Sequence, residues 1–268
     1  MTLPTSRRRT ALSALVLALV VLAGCSSSRP EPAPRQGRWV PRPGTAWQWQ
    51  LDGRIDTDVD VPVYDIDGFE NDASTVRTLH RDGRKVICYV NAGAWESFRP
   101  DHGDFPASVR GRPNGWSGER WLDIRRIDIL RPLMAERMDL CRDRGFDAVE
   151  PDLLDAYLNE TGFPLTPAHQ LAYNRMIAGL AHDRGMSVGL KNDLPQVAEL
   201  VGDFDFAVNE ECAQYGDCAA LTPFVKAGKA VFHVEYALPV DKFCKRARQL
   251  GLSSMRKKLD LGVWRQPC

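Results

Sequence analysis

The stretch Val149-Glu150-Pro151-Asp152-Leu153-Leu154-Asp155-Ala156-Tyr157 sets three carboxylates and a proline where the apolar run 146–149 ends. Farther along, FDFAVNE at 204–210 closes in the same way on Asn209 and Glu210. One acid after a β-type run is ordinarily a turn former or helix cap. Here the pattern recurs: Asp65 and Asp67 end one run, Asn91 another, Asp123 a third, Lys191 and Asn192 a fourth, Glu235 and Tyr236 a fifth. Such residues converging on one pocket are chemically sufficient to cleave a glycosidic bond. One carboxyl protonates the leaving oxygen while the other attacks the anomeric carbon or activates water. The two must differ in acidity, which burial and neighbouring charges provide.

Other chemistries find less support. His80, His102, His169, His182 and His233 form neither HxH nor HExxH, so metal-dependent hydrolysis lacks a ligand set. There is no GxSxG elbow and no phosphate loop. The residues therefore offer little to hold a metal and argue against nucleotide chemistry.

The elements that must carry these residues recur every twenty to thirty positions. Short β-type runs lie at 45–51, 61–67, 85–91, 120–124, 146–150, 187–192, 204–210 and 230–236, eight in all. Helical spacing fills most gaps, as in Ile129, Leu133, Met134, Met138 and Cys141. Strands alternating with helices imply parallel pairing through right-handed crossovers. The expected fold is α/β, a single-domain (β/α)8 TIM barrel over residues 45–268, with its site at the C-terminal strand ends. An open doubly wound sheet is the alternative, but the glycine-rich first turn it usually carries is missing.

With these positions in view, the chain resembles the endo-α-1,4-polygalactosaminidases of glycoside hydrolase family 114. The resemblance rests on YDID at 64–67, CYVNAGAWESFRPD at 88–101, GERWLDIR at 118–125, GFDAVEPD at 145–152, TGFPLT at 161–166, GLKND at 189–193, FAVNEEC at 206–212 and VFHVEY at 231–236. It covers nearly all of 45–268 in order. It implies a cofactor-free barrel hydrolase of α-1,4-linked galactosamine polymers, with Asp152 as nucleophile and Glu210 as general acid/base if the anomeric configuration is retained. After EPD the family typically continues Asn-Val-Asp-Gly-Tyr, whereas Leu153, Leu154, Asp155, Ala156 and Tyr157 follow here. A rival reading is a catalytically impaired carbohydrate-binding lipoprotein on the same barrel; retention of Asp152 and Glu210 argues against it, and loss of the amide at 153 leaves it open.

Ammonium groups on such a polymer suit an acidic site. Asp65, Asp67, Asp123, Glu150, Asp155 and Glu235 are expected to hold amines and hydroxyls, unless they pair instead with Arg99, Arg125 or Lys191. Asn91, Tyr157, Lys191, Asn192, Asn209 and Tyr236 complete the expected substrate-binding set. Lys191 is expected beside Asp152 or Glu210, and Trp95 and Trp116 are the aromatic platforms expected to stack on sugar faces. Trp47 and Trp49 are read as packing residues.

The N-terminus has a separate purpose. Arg7-Arg8-Arg9, the apolar run 11–21 and Leu22-Ala23-Gly24-Cys25 resemble a bacterial lipoprotein signal, cleaved after residue 24 with lipid on Cys25. Residues 25–44, rich in Ser, Pro and Arg, read as a tether. This predicts an exported protein anchored in a membrane at the cell surface or periplasmic face. Removing 1–24 takes three Arg and no acid, leaving 32 basic against 35 acidic residues, a balance that does not favour nucleic acid. The six other cysteines read as disulfides in an exported chain. Short loops suggest Cys212 with Cys218 and Cys244 with Cys268, which leaves Cys88 with Cys141.

Overall fold

The computed structural model describes residue 2 and residues 37–268. The expected signal segment 1–24, Cys25 and the first part of the tether therefore lie outside the described residues, apart from residue 2. The strands are β1 (Trp47–Gln50), β2 (Val63–Asp67), β3 (Lys85–Asn91), β4 (Ala94–Glu96), β5 (Arg110–Pro113), β6 (Glu119–Leu122), β7 (Ala148–Asp152), β8 (Ser187–Lys191), β9 (Phe206–Glu210), β10 (Val231–Glu235), β11 (Ser253–Arg256) and β12 (Gln266–Pro267). The helices are α1 (Ala73–Arg81), α2 (Ile127–Arg144), α3 (Pro167–His182), α4 (Val197–Leu200), α5 (Cys212–Tyr215), α6 (Thr222–Lys226) and α7 (Val240–Gln249).

The main sheet is nine-stranded and curled, ordered β1-β2-β3-β7-β8-β9-β10-β11-β12, with every pairing parallel except β11 with β12. Its two ends approach each other: the Trp47 indole on β1 donates to the Ser253 carbonyl on β11 at 2.9 Å, and Trp47 packs on Phe232. The expected count of eight parallel strands is met with one change of membership. The run 120–124 forms β6 of a separate antiparallel sheet, ordered β4-β6-β5, and its place is taken by β11. Asp152 and Glu210 thus end the fourth and sixth parallel strands, where the sequence counted five and seven.

Side-chain alternation sorts the core into two layers. Trp47, Trp49, Val63, Ile87, Ala148, Phe206, Val208, Phe232, Val234 and Met255 fill the concave side of the sheet. Tyr64, Ile66, Val86, Cys88, Val149, Val188 and Leu190 face the helices. The helices begin and end on local signals. Asp72 caps α1 by accepting from the Ser74 and Thr75 amides, and Thr166 and His169 form a capping box on α3 with Pro167 in the first turn. Gly145, with φ +89°, closes α2 in the left-handed conformation that glycine adopts without strain.

Three disulfides link described residues, Cys88 to Cys141, Cys212 to Cys218 and Cys244 to Cys268. The first ties β3 to α2, and the last fixes the segment after β11. Residues 37–44, placed by sequence in the tether, run along the domain. The Pro41 carbonyl accepts from the Ala230 amide at 2.8 Å, and Arg38 lies 3.7 Å from Asp205. These contacts fall at the strand starts, opposite the site. No helix of the described residues is long and apolar enough to cross a membrane.

Candidate active site

The C-terminal ends of β7, β8 and β9 meet around one ammonium. Lys191 Nζ lies 2.9 Å from Glu150 Oε1, 2.9 Å from Asp152 Oδ1 and 3.3 Å from Glu210 Oε2. The lysine is 1% exposed and sits over the Trp49 ring at 4.8 Å. Its charge is held by the three acids, which more than offset burial and raise its pKa well above the ordinary value. Asp152 is further fixed by the Tyr89 hydroxyl, donating at 2.8 Å, and by the Leu153 amide at 2.9 Å. Burial pushes its carboxyl up, but the Lys191 charge and these donors together bring it below the usual range, so it is ionised. Glu210 accepts from the Tyr236 hydroxyl.

Each of these strand ends turns through left-handed backbone. Leu153, Asn192 and Glu211, the residues directly after Asp152, Lys191 and Glu210, have φ of +60°, +52° and +63°. Such positions strain a non-glycine residue. Gly93 makes the first turn possible, since a Cβ there would meet the Leu153 carbonyl at 2.0 Å.

Above the trio lies a cleft of about 240 Å³, lined among others by Trp49, Asp52, Tyr89, Trp116, Glu119 and Asp260, together with Asp152, Lys191, Glu210 and Tyr236. Its charged lining is five carboxylates and one ammonium. Trp116, 60% exposed, offers an aromatic face at the rim. Glu119, from β6, accepts from Asn114 at 2.8 Å, and burial raises its pKa. One wall is the segment 257–265, tied down by the Leu51 amide on the Leu261 carbonyl at 3.0 Å and by Gln48 on the Val263 carbonyl at 2.8 Å.

Of the expected residues, Asp152, Glu210, Lys191, Trp116 and Tyr236 line this cleft. The others serve elsewhere, and several follow the pairing alternative. Asp67 is held by both terminal nitrogens of Arg99 at 3.1 and 2.5 Å, Asp123 by Arg125, and Glu150 by Lys191. Asp65 is fully buried against Glu150, beneath the cleft floor. Asn91 caps the turn to Gly93 and Ala94, and Asn192 accepts from Asn209 at 3.2 Å and from the Glu210 amide at 3.0 Å, positioning the glutamate. Glu235 points away from the cleft, because Phe232 and Val234 occupy the concave side of β10. It binds His233 at 2.9 Å and the Ala213 amide at 2.7 Å. Asp155 is half-buried behind Asp152, and the Tyr157 amide donates to Gln170 Oε1 at 3.3 Å, with Asp193 close to its ring hydroxyl. Trp95 gives its indole proton to the His102 carbonyl and stacks under Arg110 at 4.5 Å, outside the cleft.

Sequence reasoning passed over Tyr89, Trp49 and Glu119. Tyr89 and Trp49 carried a usable signal, since each is an aromatic on the inward face of its strand. Glu119 carried none, because the antiparallel insert that brings it over the cleft was read as part of the barrel. Cys212, Cys218 and His233 offer ligand atoms within 4.8 Å of one another, but the two sulfurs are bonded to each other.

Residues 28–268 match the family described as glycoside-hydrolase family GH114. An uncharacterized protein of Deinococcus radiodurans is 29% identical over 236 residues, 77% of this chain and 75% of that protein. Among solved structures, Aspergillus fumigatus Ega3 in complex with galactosamine is 38% identical with a TM-score of 0.82, covering 87% of this chain and 98% of that one. The glycoside hydrolase domain of PelA from Pseudomonas aeruginosa shares the fold at 13% identity, with a TM-score of 0.64 over 84% of this chain and 98% of its own.

Proposed function

The chain belongs to glycoside-hydrolase family GH114, and from that premise we propose that it cleaves α-1,4-linked galactosamine polymers internally, with Asp152 as nucleophile and Glu210 as general acid/base. The observation that carries this reading is the Lys191 ammonium bridging Asp152 and Glu210 on the floor of an acid-lined cleft. The galactosamine bound by Ega3 supports the amino-sugar substrate.

Asp152, ionised and held by Tyr89 and Lys191, attacks the anomeric carbon. Glu210 gives its proton to the leaving oxygen, then takes one from the water that hydrolyses the glycosyl-enzyme. Both bridged oxygens lie within 3.3 Å of one nitrogen. The acidic lining attracts ammonium-bearing sugars, and Trp116 stacks on one of them.

We further propose that the curled sheet closes into a complete (β/α)8 barrel, supported by the bond from Trp47 to Ser253. Export and a lipid anchor on Cys25 complete the reading, and rest on the sequence of 1–25.

The test is incubation of the full-length chain, in detergent, with partly deacetylated α-1,4-galactosamine polymer beside chitosan, with released oligosaccharides read by mass spectrometry. Release from the first alone is expected, and Asp152→Asn or Glu210→Gln should lower the rate by about three orders of magnitude or more. Binding without release would support the impaired-lipoprotein reading instead.

A further inference from the structure

The wall formed by 257–265 has a second face. Tyr236 and Leu259 line both the cleft and a neighbouring groove, whose lining also includes Glu211, Arg256, Lys258 and Trp264. The groove therefore borders the cleft across Tyr236 and Leu259. Its chemistry is opposite. Lys258 is exposed with its ammonium 5.7 Å from the Trp264 ring, and Arg256 lies beside it, its Nε on the Tyr236 carbonyl at 3.0 Å. Lys257 is turned inward onto the Gly262 carbonyl at 2.6 Å. Trp264 and Leu259 are 40% and 64% exposed, a broad apolar surface. The one acid, Glu211, is half-buried, and burial followed by the charges of Glu210 and Glu235 raises its pKa.

We propose that this groove is a subsite for an uncharged amino sugar, an N-acetylgalactosamine unit, adjoining the ammonium-bearing sugar in the cleft. The proposal rests on the hydrolase reading above and deepens it. A deacetylated sugar in the groove would bring its ammonium towards Lys258 and Arg256, a like-charge approach that costs free energy. An acetylated unit avoids that cost and lays its apolar face and methyl group on Trp264 and Leu259. The enzyme is then specific for a boundary between deacetylated and acetylated units.

The experiment compares the full-length chain with Lys258→Glu and Trp264→Ala on two α-1,4-galactosamine polymers of equal length, one fully deacetylated and one partly N-acetylated. Both substitutions are at exposed positions, and thermal unfolding checks that each variant is folded. Wild type should prefer the partly acetylated polymer, and tandem mass spectrometry should place N-acetyl groups at one fixed position beside the cleaved bond. Lys258→Glu should improve kcat/KM on the fully deacetylated polymer by about threefold to tenfold, the scale of exposed charge interactions. Trp264→Ala should lower kcat/KM on the partly acetylated polymer by about tenfold, a typical aromatic contribution. Equal kcat/KM on both polymers in all three proteins, with scrambled acetyl positions, overturns the subsite and leaves the hydrolase reading standing. Cleavage of neither polymer by wild type overturns both.

Discussion

Asp65 and Glu150 are both fully buried beneath Lys191, and the charge of each acts on the other. Among the described residues neither oxygen of Asp65, nor Oε2 of Glu150, has a hydrogen-bond partner. Burial, then the charge of Glu150, raises the pKa of Asp65 well above the ordinary value, which predicts a protonated Asp65. Burial also raises the pKa of Glu150, against the opposing charge of Lys191. Asp65→Asn offers an amide donor towards Glu150 and should fold with near-native stability. Asp65→Ala leaves the buried Glu150 oxygen without any such donor, which costs about 1–3 kcal/mol. An infrared band of a protonated carboxyl, present in wild type at neutral pH and missing from the asparagine variant, would locate the proton.

Asp155 sets a pH window. Its carboxyl is raised from 3.8 to about 6 by burial and then by the charge of Asp152. The folded state therefore binds more protons than the unfolded state between those values. Stability from this group is present below the lower value and lost as pH rises through the upper. Chemical denaturation of Asp155→Asn at several pH values should show less loss between pH 4 and 6 than wild type; an identical slope would refute the assignment.

Lys191→Met should act on rate and on pH together. Lys191 holds Asp152 ionised, so its removal should move the acid limb of the kcat/KM profile to higher pH. The variant also leaves carboxylates without their cation, and a stability loss of about 3–5 kcal/mol is the expected scale for a broken buried pair. A pH-rate profile on the folded fraction separates the two effects.

Leu153 and Gly93 share one tight turn. Asparagine tolerates the left-handed region better than leucine, so Leu153→Asn should stabilise the chain by about 1 kcal/mol. Gly93→Ala forces its Cβ into the Leu153 carbonyl and should displace the Leu153 amide that holds Asp152. Thermal unfolding should place the two variants on opposite sides of wild type, and only the alanine should lower kcat.

Alternation explains which site residues were legible in the sequence. Asp152, Lys191 and Glu210 lie on the inward face of their strands, whereas Asn209 and Glu235 lie one step out of phase, on the helix side. Reading strand ends without that period of two gathered both sets. The run RWLDI is a strand, as expected, but a local pattern cannot say which sheet a strand joins. Ser253-Ser254-Met255-Arg256 was missed because it is short and half polar, and becomes a strand through pairing with β10. The ion pairs of Arg99 with Asp67 and Arg125 with Asp123 were among the stated alternatives, and only geometry could choose them.

The bridge from Cys244 to Cys268 ties the chain beyond β11 back to α7 and so holds the far end of the 257–265 wall, which Leu51 and Gln48 pin from the other side. Asp152, Lys191 and Glu210 stand on β7, β8 and β9, away from that bridge. Reduction should therefore loosen one wall of the cleft and leave the acids in place, so the shape of the cleft answers to a bond remote from its charges.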